Sequence, residues 1–231
     1  MGHEPRFIRP TAPIAERAIL VGDPGRALLL AQELIMTPPP MFNHHRGLWG
    51  YSGLAKQDGK PLLVQGTGLG AASLNAVVTD LIGLGVERMI RVGSCRAAGS
   101  TDAGALVIAD NAIGGDGVSL ALGQASAADA ELVLQLVEAL GGSATVGSIA
   151  SHDLGHLVYG EQTVNPQVMV EGCCAIDMST ASLFATSANH GTSAAAVLVA
   201  IRDASTEISE DELERLVKTA GGAAVAALAD A

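Results

Sequence analysis

The chain has 231 residues, of which 48% are hydrophobic but only 3% aromatic, so its core is built from Ala, Val, Leu and Ile. Its formal net charge of −11 argues against a nucleic-acid polymer or an anionic membrane surface as partner, although local arginines can still hold a small anion. No apolar run approaches the ~18–20 residues that span a bilayer, the first residues lack a secretory pattern, and Cys95, Cys173 and Cys174 have no metal-ligand spacing and fit reduced thiols in a cytoplasm.

The length suits one domain, residues 1–231, with a substantial core. Residues 17–22 read as a strand, and 24–35 as a helix opened by Pro24, whose ring suits a first helical turn. Residues 46–54 and 60–66 read as strands flanking Asp58-Gly59, a hairpin signal. Helical spacing of apolar residues predicts a helix over 71–84, stopped near Gly85. Residues 88–92 and 105–109 read as strands. An amphipathic helix over 127–140 ends at Gly141-Gly142, where glycine supplies the left-handed cap. Residues 144–150 and 194–201 are apolar strands, with a helix near 179–189 between them. The last helix begins at Ser209, with Glu212 three positions on as a capping box, and runs to Ala229. This alternation predicts an α/β sheet with helices on its faces. The glycine-rich 111–124 and the stretch 152–173 are the least regular parts and are expected to form loops over a site.

Two segments carry chemistry. Val21-Gly-Asp-Pro-Gly-Arg26 and Arg91-Val-Gly-Ser-Cys95 each follow or end a strand-like apolar run and set a glycine beside an arginine. Glycine lets backbone N–H groups approach a ligand, and arginine offers a planar fork for phosphate oxygens. Ser94 adds a hydroxyl, and a helix starting at Pro24 presents an anion-favouring N-terminus. One arginine alone is more often a surface or interface ion pair. Two in glycine-bearing strand exits point to one small oxyanion. Gly66-x-Gly68-x-Gly70 lacks the spacing and the later acidic residue of a dinucleotide fingerprint.

GDPGR, the HHRGLWGYSG stretch from His44 to Gly53, GTGLGAAS from Gly66 to Ser73, RVGSC, and IDMSTASLFA from Ile176 to Ala185 stand in the order and spacing of the purine nucleoside phosphorylase/uridine phosphorylase family. The chain resembles that family over nearly its whole length. The resemblance implies an α/β fold, a single domain with a central mixed, partly barrel-like β-sheet flanked by helices. It implies dimers assembled into larger rings, such as a trimer of dimers, with sites at the dimer interface. Inorganic phosphate is the implied co-substrate, with no other cofactor and no metal, and a nucleoside-like small molecule is the implied substrate. By motif match, Gly22, Arg26, Arg91 and Ser94 would hold the phosphate, and Arg46 would reach into a neighbouring subunit's site. Asp203 would protonate the departing base, and Arg215 resembles an arginine that closes onto that aspartate. His3 lies near the position of a histidine that crosses to a neighbour's sugar site. Leu69, Asp177 and Met178 would lie against the substrate.

The match departs from the family at the sugar and the base. Ser179 stands where the family has a second carboxylate in its ribose segment, so a neutral hydroxyl replaces a charge-assisted acceptor, a loss of about 2–3 kcal/mol. Gly155 and His156 stand where aromatic residues stack on the base, and Arg96 replaces a small residue. Arg96, Arg202, His152 and His156 together predict a cationic leaving-group pocket, suited to an acidic or modified aglycone. The bland reading has these residues facing away or paired with Asp153 and Asp203. An ordinary turn-capping role is the alternative for Asp203. The leading expectation is reversible phosphorolysis of a purine-like nucleoside. Hydrolytic cleavage and binding without catalysis are the competing readings.

Overall fold

The computed structural model describes residues 4–123, 127–155, 158 and 172–229. The chain order runs β1 (Arg17–Val21), α1 (Pro24–Leu34), β2 (Met41–Asn43), β3 (Gly50–Leu54), β4 (Pro61–Gly66), α2 (Gly70–Gly83), β5 (Arg88–Ala97) and β6 (Leu106–Gly115). It continues with α3 (Gly117–Leu122), α4 (Ala130–Ala139), β7 (Thr145–His152), β8 (Ala175–Asp177), α5 (Thr180–His190), β9 (Ser193–Arg202) and α6 (Glu210–Ala229). The strands form one mixed sheet in the order β2-β3-β4-β1-β5-β8-β7-β6-β9, and β9 pairs back onto β5. The segment β5-β8-β7-β6-β9 is therefore a closed five-stranded barrel, and β1 to β4 extend it as an open wing. This is the α/β, partly barrel-like architecture that the resemblance implies.

Alternation along each strand sets the two faces. In β1, Ile19 and Val21 join one apolar cluster, while Ala18 and Leu20 join another on the opposite face. Helix α6 packs against α1 and α4 over the first cluster, and α2 and α5 pack together over the second, with α3 against both. Local signals explain most helix starts. Asp23 accepts the Arg26 N–H at 2.8 Å ahead of Pro24, and Asp129 accepts the N–H groups of Glu131 and Leu132 ahead of α4. Ser209 Oγ accepts the Glu212 N–H at 3.2 Å, the first half of the expected capping box. None of the described helices is long and apolar enough to cross a membrane.

Three expectations need correction. Residues 46–54 are not one strand. A 3-10 turn occupies His45–Gly47, with Arg46 at φ 58°, and β3 starts only at Gly50. The buried Asn43 side chain holds that turn, donating to the Leu48 carbonyl at 2.5 Å. Of the glycine-rich 111–124, the described residues 111–123 are not a loop, because β6 runs to Gly115 and Asp116 then caps α3 by accepting the Val118 and Ser119 N–H groups. β5 continues past residue 92 to Ala97, since β9 and β8 both pair with it there. Of the 152–173 stretch, residues 156, 157 and 159–171 lie outside the described residues.

Two adjacent glycines in α6 make a test of its packing. A Cβ on Gly221 would stand 2.7 Å from Leu30 Cδ2, whereas one on Gly222 meets nothing within 4 Å. Gly222→Ala should therefore stabilise by about 1 kcal/mol through helix propensity. Gly221→Val should destabilise by about 1–3 kcal/mol through overpacking against α1. Chemical denaturation of the two variants checks the opposite signs.

Candidate active site

β1 lies between β4 and β5 and runs parallel to both, with Val21 beside Gly66 and Leu20 beside Arg91. The three strands therefore exit at one edge of the sheet, the end at which ligands bind in α/β folds. This adjacency brings together the two arginine motifs, although about seventy residues separate them along the chain. Gly22, Asp23, Pro24 and Arg26 follow β1; Gly68, Leu69 and Gly70 follow β4; Arg91, Gly93 and Ser94 lie in β5. With Met178 and Ser179 they line a cavity of about 430 Å³. Gly68 and Gly70 take φ values of 74° and 79°, so the turn into α2 needs glycine there. Leu69 is 71% exposed and forms the lip.

Arg26 and Arg91 face this one cavity from different elements. The Arg26 guanidinium donates from Nη1 to Ser94 Oγ at 2.5 Å. Arg91 is 6% exposed, and its Nε lies 3.4 Å from Asp177 Oδ2 with no hydrogen-bond partner among the described residues. A buried guanidinium with so incomplete a set of acceptors favours an anion in the adjoining space. Gly93, the glycine of the second motif, has a steric part that sequence reasoning missed. A Cβ there would stand 2.8 Å from Arg91 Cζ and 2.8 Å from Leu198 Cδ2, so only glycine lets the guanidinium lie across its own strand. Its position two residues after Arg91, on the same strand face, was the available signal.

The acidic residue of the 176–179 segment plays a structural part. Asp177 is fully buried and does not line the cavity. Its carboxylate accepts from Ser151 Oγ at 2.5 Å, from the Ser179 and Thr180 N–H groups, and from Thr180 Oγ1 at 2.7 Å. The neighbouring Met178 and Ser179 are the residues that reach the cavity wall. Gly155 lies against Met178, and a Cβ on it would sit 3.7 Å from the Met178 Sδ, an ordinary contact. Cys95 is not a nucleophile here, because burial first and then the Asp177 charge push its thiol well up.

The other predicted residues that are described stand apart from the cavity in this arrangement. Asp203 ends β9 as a turn cap, accepting N–H groups from Ser205 (2.7 Å), Thr206 (2.8 Å) and Ala103 (3.1 Å). Those amides, Ser205 foremost, hold its carboxyl down at about 2. Arg215 forks onto Glu212 at 2.9 and 2.6 Å on the exposed face of α6. Arg96 and Arg202 are register partners on β5 and β9; burial first and then the Arg202 charge lower the Arg96 proton affinity. Arg202 also faces Glu207 at 3.7 Å. His152 packs tightly over Gly115. Arg46 is exposed and lies over the Phe7 ring at 5.4 Å from its centroid. His3 and His156 lie outside the described residues.

The Asp203 turn has a pH signature. Because its pKa is depressed in the fold, the stability it contributes is complete above the ordinary aspartate value of 3.8 and is lost as pH falls toward 2. The difference in melting temperature between the wild type and Asp203→Ala should be largest above pH 5 and should narrow as pH drops through that window.

Comparison with known proteins agrees with this geometry. The sequence model described as the phosphorylase superfamily matches residues 16–230. A DeoD-type purine nucleoside phosphorylase from Clostridium beijerinckii is 32% identical over 199 residues, which cover 82% of this chain and 81% of that protein. One from Bacillus subtilis is 32% identical over 194 residues, covering 80% and 81%. One from Oceanobacillus iheyensis reaches 42% over a shorter stretch of 85 residues, 36% of this chain and 35% of that protein. Matched from β1 to the end of α6, with arginine-bearing strand exits that meet in one cavity, the chain belongs to the phosphorylase superfamily and is homologous to DeoD-type purine nucleoside phosphorylases.

Proposed function

We propose that this protein catalyses the reversible phosphorolysis of a purine-like or modified nucleoside to a free base and a sugar 1-phosphate. The observation that carries the reading is the shared cavity in which Arg26, Arg91 and Ser94 converge beside the Gly22 backbone. Inorganic phosphate fits that set of donors: it is small, it is doubly charged near neutral pH, and it needs positive charge on more than one side. In the proposed mechanism the phosphate sits beneath the anomeric carbon while the glycosidic bond lengthens. The guanidinium groups hold the nucleophile, and its negative charge stabilises the oxocarbenium-like sugar. Met178 packs on the sugar, and the Ser179 hydroxyl offers it one neutral hydrogen-bonding group.

Arg46 completes the phosphate site of a second copy, which makes the working unit a dimer or a ring of dimers acting in the cytoplasm. The base leaves toward Gly155 and Met178, with Arg96 and Arg202 supplying positive charge for an acidic or modified aglycone. Asp203 is the proposed proton donor. In the turn described above it is an anion at neutral pH, so donation requires substrate to draw the carboxyl away from the Ser205, Thr206 and Ala103 amides. Arg215 is the residue on α6 that would follow it. The same turn favours a second reading, in which the protein binds a nucleoside-like ligand without cleaving it.

Release of free base from adenosine, inosine, 2′-deoxyadenosine and carboxylated nucleosides, with and without phosphate, decides between them. Phosphate-dependent release supports the proposal, phosphate-independent release indicates hydrolysis, and no release across the panel favours binding alone. Arg91→Ala should raise KM for phosphate by about ten- to a hundredfold, the weight of one or two charge-assisted hydrogen bonds. A variant with wild-type phosphate dependence removes Arg91 from the site. Asp203→Asn should lower kcat by about a hundredfold or more while changing KM little, the pattern of a group that acts in the transition state.

A further inference from the structure

Asp80 lies near the end of α2 and is 3% exposed. A carboxylate so buried must be matched by donors. Its Oδ2 accepts three successive backbone N–H groups, from Arg6 at 2.9 Å, Phe7 at 2.6 Å and Ile8 at 3.0 Å. The N-terminal segment thus wraps a nest of amides around one oxygen more than seventy residues away, with Ile8 fully buried behind it. The next residue meets a second buried polar side chain: the Arg9 N–H donates to Asn43 Oδ1 at 2.9 Å. That same Asn43 oxygen accepts the His45 N–H at 3.3 Å, and its Nδ2 donates to the Leu48 carbonyl at 2.5 Å. Asn43 therefore joins the N-terminal segment to the turn that carries Arg46. A third link closes the loop, because the Arg46 guanidinium stands over the ring of Phe7, whose amide is the middle one on Asp80.

We infer that Asp80 is a positioning residue for Arg46, acting through Phe7 and the turn anchored by Asn43. This inference rests on the proposed role of Arg46 as a phosphate ligand for a second copy. An exposed arginine with several rotatable bonds samples many directions, and each must be given up when it binds an anion. A ring held under the guanidinium by the buried carboxylate restricts that sampling before phosphate arrives. Buried Ile8 holds the segment against the core, and the three amides on Asp80 fix the backbone from which the Phe7 ring projects.

A double-mutant cycle on the full chain tests this, read as the phosphate dissociation constant by calorimetry and as KM for phosphate beside kcat. Arg46→Ala should weaken phosphate about tenfold or more. Phe7→Ala should weaken it about two- to fivefold, and Asp80→Asn about five- to tenfold through misplacement of the arginine. Phe7→Tyr, which keeps the ring, should behave as wild type. With Arg46 already replaced by alanine, neither Phe7→Ala nor Asp80→Asn should have a further effect. Equal effects in both backgrounds, or none in the wild-type background, would overturn the inference. If Asp80→Asn fails to fold, the Phe7 pair carries the test. An Arg46→Ala variant with unchanged phosphate binding would overturn the assignment of Arg46 and this inference together, while Arg91→Ala separately reports on the cavity itself.

Discussion

The Asp177 carboxylate is the junction on which the site depends. It ends β8, the strand that closes the barrel between β5 and β7. Through Ser151 it ties that strand to β7, through the Ser179 and Thr180 amides it starts α5, and at 3.4 Å it faces the Arg91 guanidinium. A buried carboxylate is tolerable only with such a set of donors. Removing it would unpair the helix start and leave the charge of Arg91 without its nearest counter-charge. Barrel closure, the placing of Met178 and Ser179, and the field around the anion cavity therefore share one group.

Much of the fold was legible because its signals are local. Pro24 after Asp23 marks the start of α1, Gly59 at φ 70° makes the hairpin between β3 and β4, and Gly141 and Gly142, at φ 60° and 72°, follow α4. β8 was not legible. Three residues, Ala-Ile-Asp, are too short to show a period, and only pairing on both sides makes them a strand. The polar end of β5, Gly93-Ser-Cys-Arg96, hides a strand for the same reason. At Arg46 a local side-chain hydrogen bond overrode strand preference, because the Asn43 side chain imposes a turn where apolar and aromatic neighbours read as extended.

The site divides in the same way. The convergence of Arg26, Arg91, Ser94 and Gly22 was legible because one motif follows β1 and the other lies in β5, and parallel pairing with β1 at the centre carries both to one edge. The settings of the carboxylates were not, since each combines donors from its own turn with one distant in sequence. Asp203 is held by Ala103, a hundred residues earlier, and Asp177 by a serine on another strand.

The seam of the barrel has a consequence for motion. β5 and β9 are ten residues each and pair along nearly their full length, whereas β8 contributes three. The barrel is thus a tube with one short stave, set beside the anion cavity. Local opening begins where the fewest ladder bonds must break. Breathing at that stave would loosen the start of α5 and the counter-charge of Arg91 together, leaving the long β5–β9 ladder intact. Widening of the binding space is thereby separated from unfolding of the scaffold.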